Sequence, residues 1–163
     1  MDKYKKVDIS TSSATLSNNC TEFNKMNLKI NEFCTKGDLE SYREIIYKIF
    51  NQIEEAGCKI NAIYNSNSSV HETINNKSCH IQISLKCKYK KPIHIIWTIF
   101  HELGHHTKPI KKENENNIIL LIESEKKAWD YAYKQVNKYP ELLSNVSDFN
   151  EFKEEGLRSY LKK

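Results

Sequence analysis

The sequence predicts an α+β fold, in which a small antiparallel or mixed sheet packs on two long helices. Three stretches carry this. Residues 79–87 alternate Cys79, Ile81, Ile83, Leu85 and Cys87 with His80, Gln82, Ser84 and Lys86, the period of a strand with one face on a core. Residues 93–106 are apolar nearly all round as far as His101, which describes a helix buried in the middle of a domain. Residues 118–138 then bring Ile118, Leu121, Ile122, Trp129, Ala132, Tyr133 and Val136 back at helical spacing.

The other elements follow in chain order. Residues 1–30 are rich in Ser, Thr, Asn and Lys and read as a flexible or loosely packed arm, leaving 31–163 as a single domain. Order begins near Gly37-Asp38, where Asp38 or Ser41 can cap a helix and Ser41-x-x-Glu44 has the form of a capping box. Leu39, Tyr42, Ile45, Ile46, Ile49 and Ile53 form its apolar stripe, and Gly57 ends it in a left-handed conformation. Short strands are expected over 59–64 and 70–74, with a loop between them and a turn at Asn75-Asn76-Lys77. A basic loop, Lys86 to Lys91, leads to Pro92, which opens the buried helix, and Pro109 stops it. A polar loop spans 108–117. Tyr139-Pro140 halts the next helix, and a last one over 148–161 carries Phe149, Phe152, Leu157 and Tyr160.

Composition bounds the function. A chain of 163 residues, 39% hydrophobic and 28% charged, can bury one core without disulfide support. The net charge of +4 comes from Lys dispersed among Glu, so nucleic-acid binding is not indicated. No helix-turn-helix signature or basic helix supports a DNA-associated regulator. No apolar run reaches the length of a membrane span, and no apolar leader follows the charged first residues. The five cysteines are odd in number and form no Cys-x-x-Cys pair. They are expected to be reduced thiols in a cytoplasmic protein, and not metal ligands.

The chemistry concentrates in His101-Glu102-Leu103-Gly104-His105-His106. On a helix, His101 and His105 share a face, so both imidazoles can address one metal ion. Zinc accepts such nitrogens, and Glu102 on the flank of that face is placed to take a proton from the attacking water. Chance alone gives this composition roughly 0.02 occurrences of His-Glu-x-x-His, so the match has weight. A catalytic zinc site needs a third protein ligand. His106, about 100° further round the helix, cannot join the same ion easily and is expected to be a surface histidine. Glu123 and Glu125 compete for the place. Glu125 shares the apolar stripe with Leu121, Ala128, Trp129 and Ala132, whereas Glu123 lies with Lys126, Lys127 and Asp130. A carboxylate on an apolar stripe needs compensation, which a zinc ion provides, so helix phase favours Glu125. Small Ala128 and Ala132 would let the two helices approach closely.

His101-Glu102-Leu103-Gly104-His105 followed by Glu125-Lys126-Lys127-Ala128-Trp129-Asp130-Tyr131-Ala132 resembles the gluzincin pattern, His-Glu-x-x-His then Glu-x-x-Ala-x-x-aromatic-Ala. The small size resembles minimal zinc peptidases of the ImmA/IrrE kind, found in phages, mobile elements and bacterial stress regulators. The resemblance spans about residues 79–136. It implies a zincin-like fold, with an active-site helix and a Glu-bearing helix on the sheet. It also implies Zn2+ held by His101, His105 and Glu125, Glu102 as general base, and a protein or peptide substrate. Lys108 and Lys111 stand where a metzincin would have Gly and His, which excludes that class. Trp129 stands where many gluzincins have an Asp that supports a ligand histidine. Tyr131, Tyr133, His80, His94 and Tyr160 are equal candidates to donate to an oxyanion. Residues 79–87 would offer an edge for an extended substrate, with His80, Gln82 and Ser84 along the cleft. The alternative is a catalytically inactive, zinc-stabilised binding or regulatory module.

Overall fold

A computed structural model describes residues 10–75, 78–85, 91–107 and 117–161, with side chains placed for 24–74, 78–85, 91–107 and 117–160. It begins with a helix the composition conceals. α1 runs Ser10–Gly37, and Met26, Ile30, Phe33 and Cys34, at helical spacing, are buried. The boundary expected at residue 30 therefore falls inside one helix. Residues 24–30 are packed rather than loose, because two apolar side chains a turn apart suffice to anchor a polar helix.

Asp38, with φ 55°, takes the left-handed position that ends α1 and is not an N-cap. A 3-10 turn over Glu40–Tyr42 leads into α2, Arg43–Glu55. The expected capping box is not formed, since the N-cap of α2 is Tyr42 and no side chain caps it. Glu40 turns instead to Arg43, accepting from Nε at 3.0 Å and Nη2 at 2.9 Å. α2 buries Ile45, Ile46, Ile49, Phe50 and Ile53. Gly57, at φ 75°, ends it as the sequence requires.

Three strands follow: β1 Cys58–Ile63, β2 Val70–Asn75 and β3 Ser78–Ser84. Their order is β1-β3-β2, with β3 parallel to β1 and antiparallel to β2. The sheet is thus mixed, and β3 lies at its centre. Its alternation holds from Cys79 to Ile83, with Cys79, Ile81 and Ile83 buried and His80 and Gln82 half-buried. It breaks at Ser84, expected on the polar face and found buried, its hydroxyl donating to the Ser66 carbonyl. The place of β3 in the sheet also differs from expectation. Paired on both sides, this strand has no free edge to offer a substrate.

The register sets Cys58 opposite Cys79, and the two are joined in a disulfide with Cα atoms 4.5 Å apart. Free thiols were the expectation from spacing. A cross-strand pair 21 residues apart leaves no local mark in the sequence. Of the other cysteines, Cys34 is buried and free, while the side chains of Cys20 and Cys87 lie outside the described part.

α3, Ile93–Thr107, is buried from Ile93 to Gly104 except at half-buried Thr98. α4, Ile118–Val136, starts on Asn117, whose side chain accepts from the amides of Ile119 and Leu120. Its apolar face is narrower than expected, since Ile118 and Tyr133 are exposed. Pro140 opens a short α5, Pro140–Leu143, and α6 spans Val146–Leu161. α6 packs Phe149 edge-on to Trp97, at 5.4 Å between ring centroids. Lys91 pairs with Asp148 at its start. The turn at 76–77, the loops 86–90 and 108–116, and Pro109 as helix stop lie outside the described residues. The architecture is α+β, mainly helical with one small mixed sheet. Among the described residues no helix is long and apolar enough to cross a membrane.

Membership of α1 in the core is testable. Phe33 is fully buried, edge-to-face on Phe50 at 5.1 Å, so Phe33→Ala is expected to lower stability by about 3–5 kcal/mol in urea unfolding. Leu28→Ala, on the exposed side of the same helix, is expected to stay within about 0.5 kcal/mol. Equal effects would remove α1 from the core.

Candidate metal centre

α3 and α4 cross at a point where α3 has no side chain and α4 presents the backbone of Ala128. A Cβ added to Gly104 would lie 2.7 Å from the carbonyl oxygen of Ala128 and 2.8 Å from its Cα. Backbone therefore meets backbone. The approach sets the α3 face of His101 and His105 against the α4 face of Glu125. The two histidine Nε2 atoms are 3.1 Å apart. Glu125 Oε2 is 3.2 Å from His101 Nε2, and Oε1 is 3.4 Å from His105 Nε2. The three ligand atoms lie within 4.8 Å of one another. Glu123, by contrast, is exposed on the other side of α4. The burial of the two carboxylates follows helix phase, with Glu125 inside and Glu123 outside.

His101, Glu102 and Glu125 are all buried. Burial pushes the Glu102 carboxyl up to about 7; Glu125 adds to the rise and His105 opposes it. Burial acts on Glu125 in the same direction, but hydrogen bonds and charge from His101 and His105 outweigh it and hold that carboxyl at about 2. His101 is lowered by burial. For His105, burial is outweighed by Glu125 and Glu102, which raise it. One carboxylate is thus kept charged beside another that is easily protonated.

The residues present fit a divalent cation. Two imidazoles in contact through their Nε2 atoms can share one hydrogen between them, which leaves the Glu125 carboxylate to satisfy. Glu125 Oε2 is buried 3.2 Å from His101 Nε2, a contact that does not have the geometry of a full hydrogen bond. Two nitrogens and a carboxylate oxygen form a common zinc donor set, and one ion satisfies all three.

Around this set the surroundings differ from expectation in instructive ways. Among the described residues no carboxylate meets His101 Nδ1. The indole of Trp129 lies against its ring, centroids 4.2 Å apart. Asp130 points away and pairs with Lys153 at 2.8 Å. Gly156 of α6 makes room for that indole, since a Cβ there would come within 3.1 Å of Trp129 Cζ2. Of the five possible oxyanion donors, Tyr160 interacts with Glu125 and feels Glu102; its hydroxyl pKa is raised, by burial first and then by these carboxylates. His94 is buried, stacked between Trp97 and Phe152. Tyr131 accepts from Gln52 at 3.1 Å, Tyr133 packs half-exposed beside Phe149, and His80 is on the central strand.

Sequence reasoning overlooked His71 altogether. From β2 its ring lies 6.2 Å from that of His105 and 5.9 Å from that of His106. Burial, followed by those two rings, lowers its pKa to about 4, so it is neutral at physiological pH. A lone histidine in a short polar strand carries no local signal. His106 is also not the surface residue expected: it is half-buried, and its Nε2 donates to the Ala56 carbonyl at 3.1 Å.

Comparison with protein-family models, with characterised proteins and with solved structures finds no match.

The backbone contact yields a prediction with an unusual sign. Gly→Ala inside a helix ordinarily stabilises by about 0.5–1 kcal/mol. Gly104→Ala is instead expected to destabilise by about 1–3 kcal/mol, through overpacking against Ala128. It should also weaken zinc binding, because the added methyl forces Glu125 away from the histidines. Urea unfolding and chelator competition read the two effects. A stabilised variant with unchanged zinc affinity would show that the helices are not in contact there.

Proposed function

We propose that this protein is a small zinc-dependent peptidase of the gluzincin type, similar to the ImmA/IrrE peptidases. It would have a zincin-like arrangement of sheet, active-site helix and Glu helix, and act on a protein or peptide in the cytoplasm. The observation that carries this is the meeting of His101 Nε2, His105 Nε2 and the Glu125 carboxylate, with Glu102 buried beside them. Zn2+ bound by those three residues would supply Lewis acidity, polarising a substrate carbonyl and making water a better nucleophile.

The residues of the chain divide the remaining work. Glu125, the carboxylate that stays charged, supplies the negative charge of the ligand set. Glu102, raised to about 7, matches a group that accepts a proton from water and returns it to the leaving amine. Tyr160, whose hydroxyl is held by Glu125, would turn from that carboxylate to donate to an oxyanion. Trp129 holds the His101 ring by packing, where a hydrogen-bonded carboxylate would also fix its tautomer.

That substitution favours one competing reading, a centre that binds zinc for stability without catalysis. Glu102→Gln separates the two. On the peptidase reading it keeps a full equivalent of zinc by elemental analysis and loses peptide cleavage by about 10²–10⁴-fold. Glu125→Ala is expected to lose the zinc. Wild-type cleavage by Glu102→Gln would remove Glu102 from the mechanism. Retained high-affinity zinc in Glu125→Ala would remove Glu125 from the ligand set.

A further inference from the structure

Consecutive histidines on a helix point about 100° apart. His105 faces α4, while His106 faces the end of α2 and the start of the sheet. There it meets a second group of metal-binding atoms: the Cys58 and Cys79 sulfurs and a His106 ring nitrogen lie within 4.8 Å of one another. We propose that Cys58, Cys79 and His106 form a thiol-gated metal centre, closed as the disulfide and open as a dithiol that binds a soft divalent cation such as zinc.

The geometry supports both states. β1 and β3 hold Cys58 and Cys79 as direct partners across parallel strands, so the sulfurs stay adjacent whether or not they are bonded. Zinc–sulfur bonds of about 2.3 Å and zinc–nitrogen bonds of about 2.0–2.1 Å set tetrahedral ligands roughly 3.3–3.8 Å apart. Side-chain rotation after cleavage of the S–S bond therefore suffices to place all three around one ion. Two thiolates and an imidazole leave a fourth position for water. The ring nitrogens of His101 and His105 belong to the other face of the helix, so the two centres share no ligand.

The disulfide is buried, and reductant would approach it from the side of Cys58. A surface cavity of about 600 Å³ between α1, α2 and β1 has Cys58 in its wall, together with Gly57 and Ile60. Lys25, Lys29 and Lys59 line it against one carboxylate, Glu54, and the excess of positive charge would attract an anionic thiol. The co-reactant is a low-molecular-weight thiol. Its thiolate attacks one sulfur of the pair, forming a mixed disulfide and releasing the other cysteine as thiolate. A second thiol molecule resolves the mixed disulfide and leaves as the oxidised thiol. The net transfer is two electrons and two protons to the cysteine pair. On binding, the divalent cation replaces those two protons, which pass to water.

The test uses the full chain, stripped of metal, in two forms: as the disulfide, and reduced anaerobically with excess thiol that is then removed. Each is titrated with Co2+. The reduced form is expected to bind one equivalent more than the oxidised form and to show near-ultraviolet thiolate-to-cobalt charge transfer. The His101, His105 and Glu125 set contains no sulfur and cannot produce that band. Cys58→Ser/Cys79→Ser should abolish the band. His106→Ala should weaken the extra site on the order of a hundredfold or more, beyond the loss of an outer-shell partner. No band in the reduced protein would overturn the proposal, and so would a band that survives in the double serine variant. Unchanged affinity in His106→Ala would also overturn it. The comparison of oxidised with reduced wild type needs no variant to fold.

Discussion

Gly104 and Ala128 meet backbone to backbone, and the rest of the site depends on that contact. A side chain at Gly104 would add separation between α3 and α4, and the 3.2 and 3.4 Å approaches of Glu125 to the two histidines have little to spare. Glu102 and Glu125 sit close together with little solvent, so small differences in their neighbours drive their proton affinities in opposite directions. One residue without a side chain thus governs the distances, and through them the charges.

The parts legible in the sequence are those fixed by local periodicity. The alternation of Cys79, Ile81 and Ile83 identified β3, and helix phase placed Glu125 inside and Glu123 outside. Gly57 marked the end of α2. What stayed hidden depends on partners distant in the chain. Strand order is decided by which strands pair, so alternation in β3 could not say that it lies in the centre. The disulfide and the position of His71 arise only when elements meet. α1 was missed for a different reason, since the Ser, Thr and Asn around Met26, Ile30 and Phe33 mask a true helical stripe. The burial of Glu125 was readable because a buried charge is costly, and costly features stand out.

The central position of β3 explains why so much chemistry collects at one end of the molecule. α3 packs on both β2 and β3, and its C-terminal turn ends where β1 starts and α2 stops. Histidines from α3 and β2, cysteines from β1 and β3, and the last carbonyls of α2 are thereby brought to one region. Four histidines and two sulfurs gather without any of them being neighbours in more than pairs along the chain.

Trp129 gives this arrangement an optical consequence. Its indole lies on the ring of His101, while the other tryptophan, Trp97, is fully buried beside Phe149 and Phe152. Any change in what His101 is bonded to alters the electric field across the Trp129 ring. Indole emission is thereby tied to the state of the site.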